Sequence, residues 1–455
     1  MTEAKAFLFV TLPGPVSGHF LQISNRMFPF RGRPIQIETF KLMFRALSYP
    51  NYRLYYYGQS ISLIGVWIQN IAMGWLVYRL TGSALLLGTI TFALQIPSLF
   101  ITPFAGVLAD RWDRRKVIVF TQVLSMLVAF TLAWLTLTEL INVSIIIILA
   151  LINGIILAFD TPFRQSFVPD IITRKEDLAN AIALNSSLYN LARFIGPPIG
   201  GLLISWVGEG WCFFINGVTF LAVIAGLLAM RIQKKTRKPI IGSIISQLKE
   251  GIGYAWTFRS LRYLIALVAL SSFFGLPFQA LMPLFAAEIL GGDSQMLGIL
   301  TGALGAGALT GAFYLASRKN TMKVPAITFR TALVFSVGLS VFALSGVAAL
   351  SIAALVFTGF GMIVHFNSTN TLIQSISDED KRGRVISLYS LTFMGITPIG
   401  SLLAGTVAEL IGVPLTVFAF SLVCLISALL FGTRVRTVFF SLVRKTRPID
   451  DSDPI

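Results

Sequence analysis

The chain has 455 residues, of which 55% are hydrophobic and only 12% are charged. An average soluble domain has roughly twice that share of charge, about 25%. The formal net charge is +16, but the charges are too few to line a groove, so no nucleic-acid partner is expected. Two cysteines and two histidines cannot build a disulfide framework or a metal site. The composition favours a membrane protein that holds no metal and no cofactor.

Uncharged runs long enough to cross a bilayer recur along the whole chain. Crossing the hydrocarbon core takes about 20 helical residues, and runs this long without strict alternation indicate helices rather than barrel strands. The predicted helices 1 to 12 occupy residues 54–78, 80–109, 117–138, 140–159, 178–208, 210–230, 263–287, 294–317, two spans within 331–377, 385–408 and 410–433. Only Arg193 interrupts the fifth run. The sequence therefore predicts an all-α integral membrane protein with twelve transmembrane helices.

The basic residues predict the orientation of these helices. Lys and Arg are retained in cytoplasmic loops, and placing both termini in the cytoplasm leaves only Arg79 and Arg193 elsewhere. The expected location is the cell (inner) membrane, with several passes. The predicted segments are a cytoplasmic N-terminal segment 1–52, a six-helix bundle 53–231, a cytoplasmic linker 232–260, a second six-helix bundle 261–436 and a cytoplasmic tail 437–455.

An internal repeat supports this division. Residues 187–203 match residues 387–403 at a spacing of 200, so that Tyr189 aligns with Tyr389. Around predicted helices 1, 2, 7 and 8 the spacing is 210, and Gln69 aligns with Gln279. Ordered matches on both sides of the linker indicate a duplicated six-helix unit. Two such bundles, related by a pseudo-two-fold axis along the membrane normal, are typical of transporters with a substrate site near the midplane.

The connection between predicted helices 2 and 3 is unusually rich in charge. It reads GVLADRWDRRKV from Gly106 to Val117, which is more charge than orientation alone requires. A carboxylate such as Asp110 is stabilised near a helix N-terminus, by about 0.3 to 1 kcal/mol when exposed. Arg114 can pair with an acid on another helix, which would make a latch that breaks when the helices part.

This connection resembles the signature of the major facilitator superfamily, G-x-x-x-D-R-x-G-R-[RK]. The matching residues are Gly106, Asp110, Arg111, Arg114 and Arg115. Asp113 replaces the glycine of the family, a change that a turn tolerates. The resemblance implies that this loop latches the two halves in the outward-facing state.

Predicted helix 5 carries a second motif, which reads GPPIGG from Gly196 to Gly201. Prolines remove amide donors, and glycines allow a neighbouring helix to approach closely, so simple helix packing is one interpretation. The motif also resembles the G-P-x-x-G-G pattern of the superfamily's proton antiporters, formed here by Gly196, Pro197, Gly200 and Gly201. The flanking residues are similar to the branch that contains the enterobactin exporter and macrolide efflux proteins. These resemblances imply export.

Charges at membrane depth are the candidates for proton coupling. Drug antiporters of the superfamily usually carry an arginine in helix 4, and this helix has none between Leu140 and Phe159. The remaining candidates are Asp160, Arg164 and Arg193, because intramembrane charges are expensive and commonly functional. One hypothesis is that Asp160 and Arg193 form a proton-sensing pair. A structural pair of Asp160 with Arg114 or Arg164 is the alternative.

Neutral polar and aromatic residues near the helix midpoints are candidates for the substrate cavity, although each can also serve only as interhelical glue. They are Trp67, Gln69, Asn70, Asn153, Asn185, Tyr189, Phe278, Gln279, His365, Asn367, Asn370 and Tyr389. Together they favour a bulky amphipathic or aromatic compound.

The predicted function is secondary active export of a small amphipathic compound, such as a drug, macrolide or siderophore, in exchange for protons. Uptake of a small solute by facilitated diffusion or symport, or lipid transport, is the alternative. No G-x-x-x-x-G-K-[ST] motif occurs, so no ATP hydrolysis is expected. Convergent catalytic residues at membrane depth are also missing, so the chain is not expected to be an enzyme. The expected partners are the bilayer, the substrate and protons, and the chain is expected to act as a monomer.

Overall fold

The computed structural model describes residues 44–231, 253–318 and 323–446. Most of the predicted N-terminal segment, most of the linker and the end of the tail lie outside these residues. Every regular element of the described part is helical. Residues from Ala46 onward belong to one compact unit.

The structure confirms the predicted series of long helices. Their bounds are α1 Pro50–Thr81, α2 Ala84–Arg111, α3 Arg114–Leu137, α4 Val143–Ile171, α5 Lys175–Val207, α6 Glu209–Ala229, α7 Arg259–Leu270, α8 Ser294–Ala316, α9 Val324–Leu344, α10 Ala348–Ile376, α11 Glu379–Ile411 and α12 Val413–Gly432. Eleven helices of the described residues, among them α7 with its continuation to Gln279, are long and apolar enough to cross a membrane. The twelfth long helix, α5, has 33 residues and is less apolar than these eleven.

Local chemistry sets where several helices begin and end. Ser83 and Asn142 cap α2 and α4, where their side chains accept hydrogen bonds from backbone amides of the first turn. Gly208 and Gly412 end α5 and α11 with φ angles of 83° and 85°. Only glycine adopts this backbone readily, so each residue allows a sharp turn into the next helix. The two glycines occupy corresponding places in the two halves, which is consistent with the internal repeat.

The seventh span is not the single regular helix that the run 263–287 predicts. After α7, the chain continues as a π-helix Ser271–Gly275, a 3-10 helix Leu276–Gln279, a short α-helical turn Met282–Leu284 and a second π-helix Phe285–Ile289. Pro277 and Pro283 lack amide donors, and π-helical segments are common at functional sites. The rings of Phe278 and Phe285 pack on Phe342, with centroids 6.2 and 4.4 Å away, and fix this irregular segment in place.

The helices pack in repeat-related pairs. We call α1 to α6 the first half and α7 to α12 the second half. The two halves contact each other chiefly through α5 against α8 and α2 against α11. The repeat relates α5 to α11 and α2 to α8. We call the side with the α2–α3 connection the inner side and the side with the α1–α2 connection the outer side. The inner side is the predicted cytoplasmic side. The start of the predicted tail also contains a helix, α13 Val435–Thr446, which packs against α7, α9 and α10.

Candidate functional site

The two halves meet closely on the outer side, through backbone of small residues. A Cβ atom at Gly201 of α5 would lie 3.0 Å from the Cα of Gly298 in α8, and Ser294 donates a hydrogen bond of 3.0 Å to the Gly201 carbonyl oxygen. The repeat-related contact joins Gly88 of α2 to α11. A Cβ atom at Gly88 would lie 3.1 Å from the Cα of Gly405. The outer end of the interface is therefore tightly closed.

On the inner side a cavity of about 430 Å³ separates the same two halves. Its walls are the inner half of α2, the α4 segment around Pro162 and the part of α11 between Arg384 and Gly395. Gly106 and Asp110 of the α2–α3 motif line it, together with Arg384 of α11. None of the twelve predicted substrate-cavity residues lines this cavity, so it is an inner vestibule rather than the predicted central site.

The charged α2–α3 motif is held within the first half. Arg114 donates to Asp110 at 2.9 Å, to Asp170 of α4 at 3.1 Å and to the carbonyl oxygen of Ser166 at 2.6 Å. Arg114 thus joins α2, α3 and α4 into one rigid corner. Among the described residues, the Asp110 carboxylate accepts a hydrogen bond from Arg114 alone, so no contact with the second half is formed in this conformation.

The other motif residues have separate roles. Asp113, which stands where the family has glycine, caps α3 by accepting a hydrogen bond of 3.3 Å from the Lys116 amide. The departure from the family pattern thus stabilises the helix start. Arg115 donates to the carbonyl oxygen of Leu228 at the end of α6 at 2.7 Å, and Arg111 is exposed.

Asp160 lies at the centre of a buried polar network of α1, α3 and α4. Its side chain is only 1% exposed, and one carboxylate oxygen accepts hydrogen bonds from Thr121 at 2.7 Å and Gln122 at 2.9 Å. The other oxygen forms an ion pair with Arg164, and Arg164 donates to Gln59 of α1 at 2.5 Å. The structural pair of Asp160 with Arg164 is present, and the pair with Arg114 is not.

The structure does not bring Asp160 and Arg193 together. Helix α5 begins at Lys175, earlier than the sequence predicts, so Arg193 lies deeper from the inner side than expected. Arg193 is buried beside Gln279, to which it donates at 3.1 Å. Its guanidinium lies over the ring of Trp67, 5.7 Å from the centroid. A direct Asp160–Arg193 pair is therefore wrong for this conformation, because each residue has its own neighbours on different helices.

The GPPIGG motif packs helix α5 against two neighbours. A Cβ atom at Gly196 would lie 2.5 Å from the Cβ of Trp67, and one at Gly200 would lie 3.2 Å from the Cα of Ile68. Gly201 and the carbonyl oxygen of Pro197 face α8 instead. Helix α5 continues through both prolines without interruption. The motif thus gives α5 close contact with α1 on one face and with the second half on the other.

The remaining predicted cavity residues fall into several groups. Tyr189 is half exposed and packs edge-on against Trp67, with centroids 5.9 Å apart. Its repeat partner Tyr389 is buried and donates to the carbonyl oxygen of Phe366 at 3.0 Å. Three others form side-chain hydrogen bonds: Gln69 with Asn216, Asn185 with Tyr52, and Asn370 with Gln374 on the same helix. The ring nitrogens of His365 are buried and have no hydrogen-bond partner among the described residues. Asn70 and Asn367 are exposed, Asn153 is half-buried and Phe278 is buried.

Two acids at the outer side were not among the candidate site residues. The Glu409 carboxylate at the end of α11 accepts hydrogen bonds of 3.1 Å from Ser83 and from the Leu85 amide at the start of α2. Glu209 stands 200 residues earlier and binds Arg79 at 2.8 and 3.1 Å. Their position between consecutive predicted helices was the signal in the sequence that could have drawn attention to them. Within the described ranges, no cluster of three metal-ligating side chains occurs.

Comparison with known proteins assigns the chain to a family. The model of the family described as transmembrane secretion effector matches residues 43–441. The staphyloferrin A transporter of Staphylococcus aureus is 26% identical, with 84% of this chain and 96% of the relative covered. The multidrug efflux pump Tap of Mycolicibacterium fortuitum is 25% identical, with coverages of 78% and 88%. Macrolide efflux protein A of Streptococcus pyogenes is also 25% identical, with coverages of 80% and 92%.

Solved structures share the fold at low sequence identity. A bacterial homologue of the human lysosomal transporter Spinster, in an inward-facing and unoccupied conformation, has a TM-score of 0.65 at 15% identity, with coverages of 88% and 98%. The nucleoside transporter NupG has a TM-score of 0.64 at 14% identity, with coverages of 86% and 99%. The family match and this fold agree with the two sequence motifs, and the chain belongs to the transmembrane secretion effector family of major facilitator superfamily membrane transporters.

Proposed function

We propose that this chain exports a small amphipathic compound by alternating access, in exchange for protons. The observation that carries the proposal is the asymmetry of the interface between the halves. The halves touch through backbone at Gly201 and Gly88 on the outer side, whereas a cavity of about 430 Å³ parts them on the inner side. Such a shape admits a compound from the predicted cytoplasmic side. A single chain supplies both halves, so we propose a monomer as the working unit.

Export is favoured over uptake by the GPPIGG motif and by the relatives. The motif occupies the contact between α5 and its neighbours, where it can seal the outer side while the inner side is open. Two of the three relatives described above are named as efflux proteins. Neutral polar groups beside aromatic rings, such as Gln279 near Trp67 and Tyr189, suit a compound with an apolar body and few polar groups.

Transport by the purified protein in proteoliposomes tests this proposal. A thermal-shift screen against siderophores, macrolides, dyes and lipids first identifies compounds that stabilise the protein, because a ligand stabilises the state to which it binds. We expect a stabilising compound to move against its gradient when a proton gradient is imposed, and its movement to stop when a protonophore collapses that gradient. Movement that is unaffected by the protonophore contradicts proton exchange. Movement only toward the predicted cytoplasmic side supports uptake instead.

We propose that the Asp160–Arg164 pair couples protons to transport. At roughly 1.5 Å per residue, Asp160 lies about 16 Å from the inner end of α4. The titratable groups near it are Arg164 and Tyr55, neither of which ordinarily changes protonation near neutral pH. Three buried atoms of the network, on Gln59, Gln122 and Arg164, have no partner among the described residues. The network therefore has capacity to rearrange when the carboxylate gains a proton.

The Asp160→Asn variant is expected to lose the pH dependence of efflux. An amide keeps the size of the side chain but cannot exchange a proton, so the rate is expected to stay flat where the wild-type rate changes. Initial efflux rates from proteoliposomes over a pH series measure this. Asp113→Asn is the matched control, because it removes an exposed carboxylate while an amide can still cap α3. Full wild-type pH dependence in the Asp160→Asn variant would leave Asp160 with a structural role only.

We propose that Asp110 latches the inner side when the cavity closes. Asp110 and Arg384 line the same cavity from opposite halves, so closure brings an acid toward a base. For the Asp110→Asn variant we expect a shift toward the inner-open state of about 1 kcal/mol, which is roughly a fivefold change in the population ratio. Distances between spin labels at Leu80→Cys and Leu410→Cys, on the outer ends of the two halves, report the shift. An unchanged distance distribution rules the latch out.

A further inference from the structure

Arg193 is a buried cation deep within the membrane-spanning part of α5. The residue is 8% exposed. At a rise of roughly 1.5 Å per residue it lies about 27 Å from the start of α5 and about 21 Å from its end. Placing a charged side chain at this depth is costly, and such residues are normally paired. A buried arginine at this depth is therefore expected to have an acidic partner.

No acid neutralises this guanidinium within the described part of the chain. Nη2 donates a hydrogen bond of 3.1 Å to the Gln279 side-chain oxygen, and Nε has no partner among the described residues. The ring of Trp67 contributes a face, 5.7 Å from the guanidinium carbon. By contrast, Arg79, Arg114 and Arg164 each form an ion pair. Among the described residues, Arg193 therefore has no counter-charge.

The internal repeat shows that the fold itself does not need this charge. At the spacing of 200 residues, Arg193 aligns with Phe393. Phe393 packs against Phe366 and stacks with Tyr389, with centroids 4.8 and 6.1 Å away. The equivalent position of α11 thus holds an apolar side chain. The charge in α5 is an addition to a position that a phenylalanine fills in the other copy.

The surroundings of Arg193 define a composite site. Trp67 and Arg193 come from the first half and Gln279 from the irregular seventh span of the second half, so a group bound here contacts both halves. One turn toward the inner side, Tyr189 is half exposed and its ring meets Trp67 edge-on. One cation beside two aromatic rings suits an anionic group attached to a flat apolar body.

We propose that Arg193 binds the anionic group of the transported compound, which is therefore an amphipathic anion such as an aromatic carboxylate or sulfonate. This inference rests on the proposed export of an amphipathic compound and adds its charge. Trp67 and Tyr189 contact the apolar body, and Gln279 holds the guanidinium in place from the second half. Arg193 acts as a binding residue and takes no part in proton exchange.

Two fluorescent compounds that differ in one anionic group test the inference. Anilinonaphthalene sulfonate carries a sulfonate, and phenylnaphthylamine has the same ring system without it. Binding is measured by energy transfer from tryptophan to each compound in phosphatidylcholine nanodiscs, with empty nanodiscs subtracted. We expect wild-type protein to bind the sulfonate about tenfold more tightly or better, as a hydrogen-bonded ion pair provides. This preference should vanish in Arg193→Gln and persist in Arg193→Lys.

The controls separate binding from folding and from overall charge. Arg193→Phe introduces the residue of the other repeat, so it removes the charge with a side chain that this position accommodates in α11. Arg436→Gln removes an exposed charge of α13 and should keep the wild-type preference. Thermal unfolding of each variant reports any loss of fold. Three outcomes overturn the inference. Wild-type protein binds both compounds equally, Arg193→Gln weakens the binding of both compounds equally, or wild-type protein shows no saturable binding of the sulfonate.

Transport of the same two compounds in proteoliposomes separates this inference from the proposed function. Export of both compounds without an effect of Arg193→Gln overturns the anion site and leaves the exporter intact. Arg193-dependent binding of the sulfonate without movement of any compound of the wider screen supports the anion site and contradicts export.

Discussion

The Arg164→Leu variant is expected to unfold far more easily than the wild-type protein. The substitution removes the guanidinium that pairs with Asp160, whose side chain is only 1% exposed. Breaking a buried pair from one side leaves an uncompensated charge and costs about 3 to 5 kcal/mol. Thr121 and Gln122 still donate to one carboxylate oxygen, but they do not supply a positive charge. Thermal unfolding in nanodiscs at constant lipid composition measures the loss.

A double variant separates the charge from the packing. Asp160→Asn combined with Arg164→Leu removes both charges, so it should be more stable than Arg164→Leu alone. Asp160→Asn alone should cost less than Arg164→Leu, because Arg164 is 24% exposed and keeps its hydrogen bond to Gln59. A double variant as unstable as Arg164→Leu would show that the lost side-chain packing of Arg164, and not the unpaired carboxylate, dominates.

The long helices could be predicted from the sequence because a bilayer tolerates few alternatives to uninterrupted helix. Hydropathy alone ranks α5 below the other spans. The helix could still be recognised, because Arg193 is the only charged residue that interrupts its uncharged run. The irregular seventh span could not be predicted in the same way. Its residues are as apolar as those of a regular helix, and Pro277 and Pro283 mark possible breaks without specifying π-helical or 3-10 geometry. The contacts of Phe278 and Phe285 with Phe342 are tertiary and have no local signal in the sequence.

The charged residues were predicted as candidates, but the sequence left the partner of Asp160 open between Arg193, Arg114 and Arg164. Composition and depth single out Asp160, Arg164 and Arg193, whereas their partners depend on helix rotation and on where α5 begins. An i,i+4 spacing on one helix favours the Asp160–Arg164 pair. The contact of Arg193 with Gln279 joins residues of two halves, and no local pattern in the sequence encodes it. The place of Glu409 at the end of predicted helix 11 can be read from the sequence, but its role as a cap of α2 depends on the packing of α11 against α2.

The repeat explains why the outer contact is built from glycine. Related helices of the two halves cross at Gly201 with Gly298 and at Gly88 with Gly405. Close approach of backbones lets the halves seal without long side chains, which would have to reorder each time the interface opens. The same small residues are thus a requirement for a contact that forms and breaks during transport.

The Gly201→Val variant is expected to abolish transport by preventing outer closure. Even the first atom of a side chain at Gly201 would press on the Ser294 carbonyl oxygen and lie 3.0 and 3.2 Å from the Cα atoms of Gly298 and Gln295. These are backbone atoms and cannot move aside as a side chain can, so α5 and α8 must separate. Overpacking of this kind costs about 1 to 3 kcal/mol, enough to shift the population ratio roughly tenfold toward the outer-open state.

Spin labels at Leu80→Cys and Leu410→Cys measure the outer distance in this variant, after serine replaces Cys212 and Cys424. We expect the distance distribution to move to longer values and transport in proteoliposomes to fall to background. Gly383→Val in α11 is the matched control, because a Cβ atom at Gly383 meets nothing within 4 Å, and it should keep the wild-type distances. A Gly201→Val protein with wild-type distances and wild-type transport would show that the α5–α8 contact is not the outer gate. Wild-type distances with lost transport would show that the substitution acts on transport without holding the outer side open.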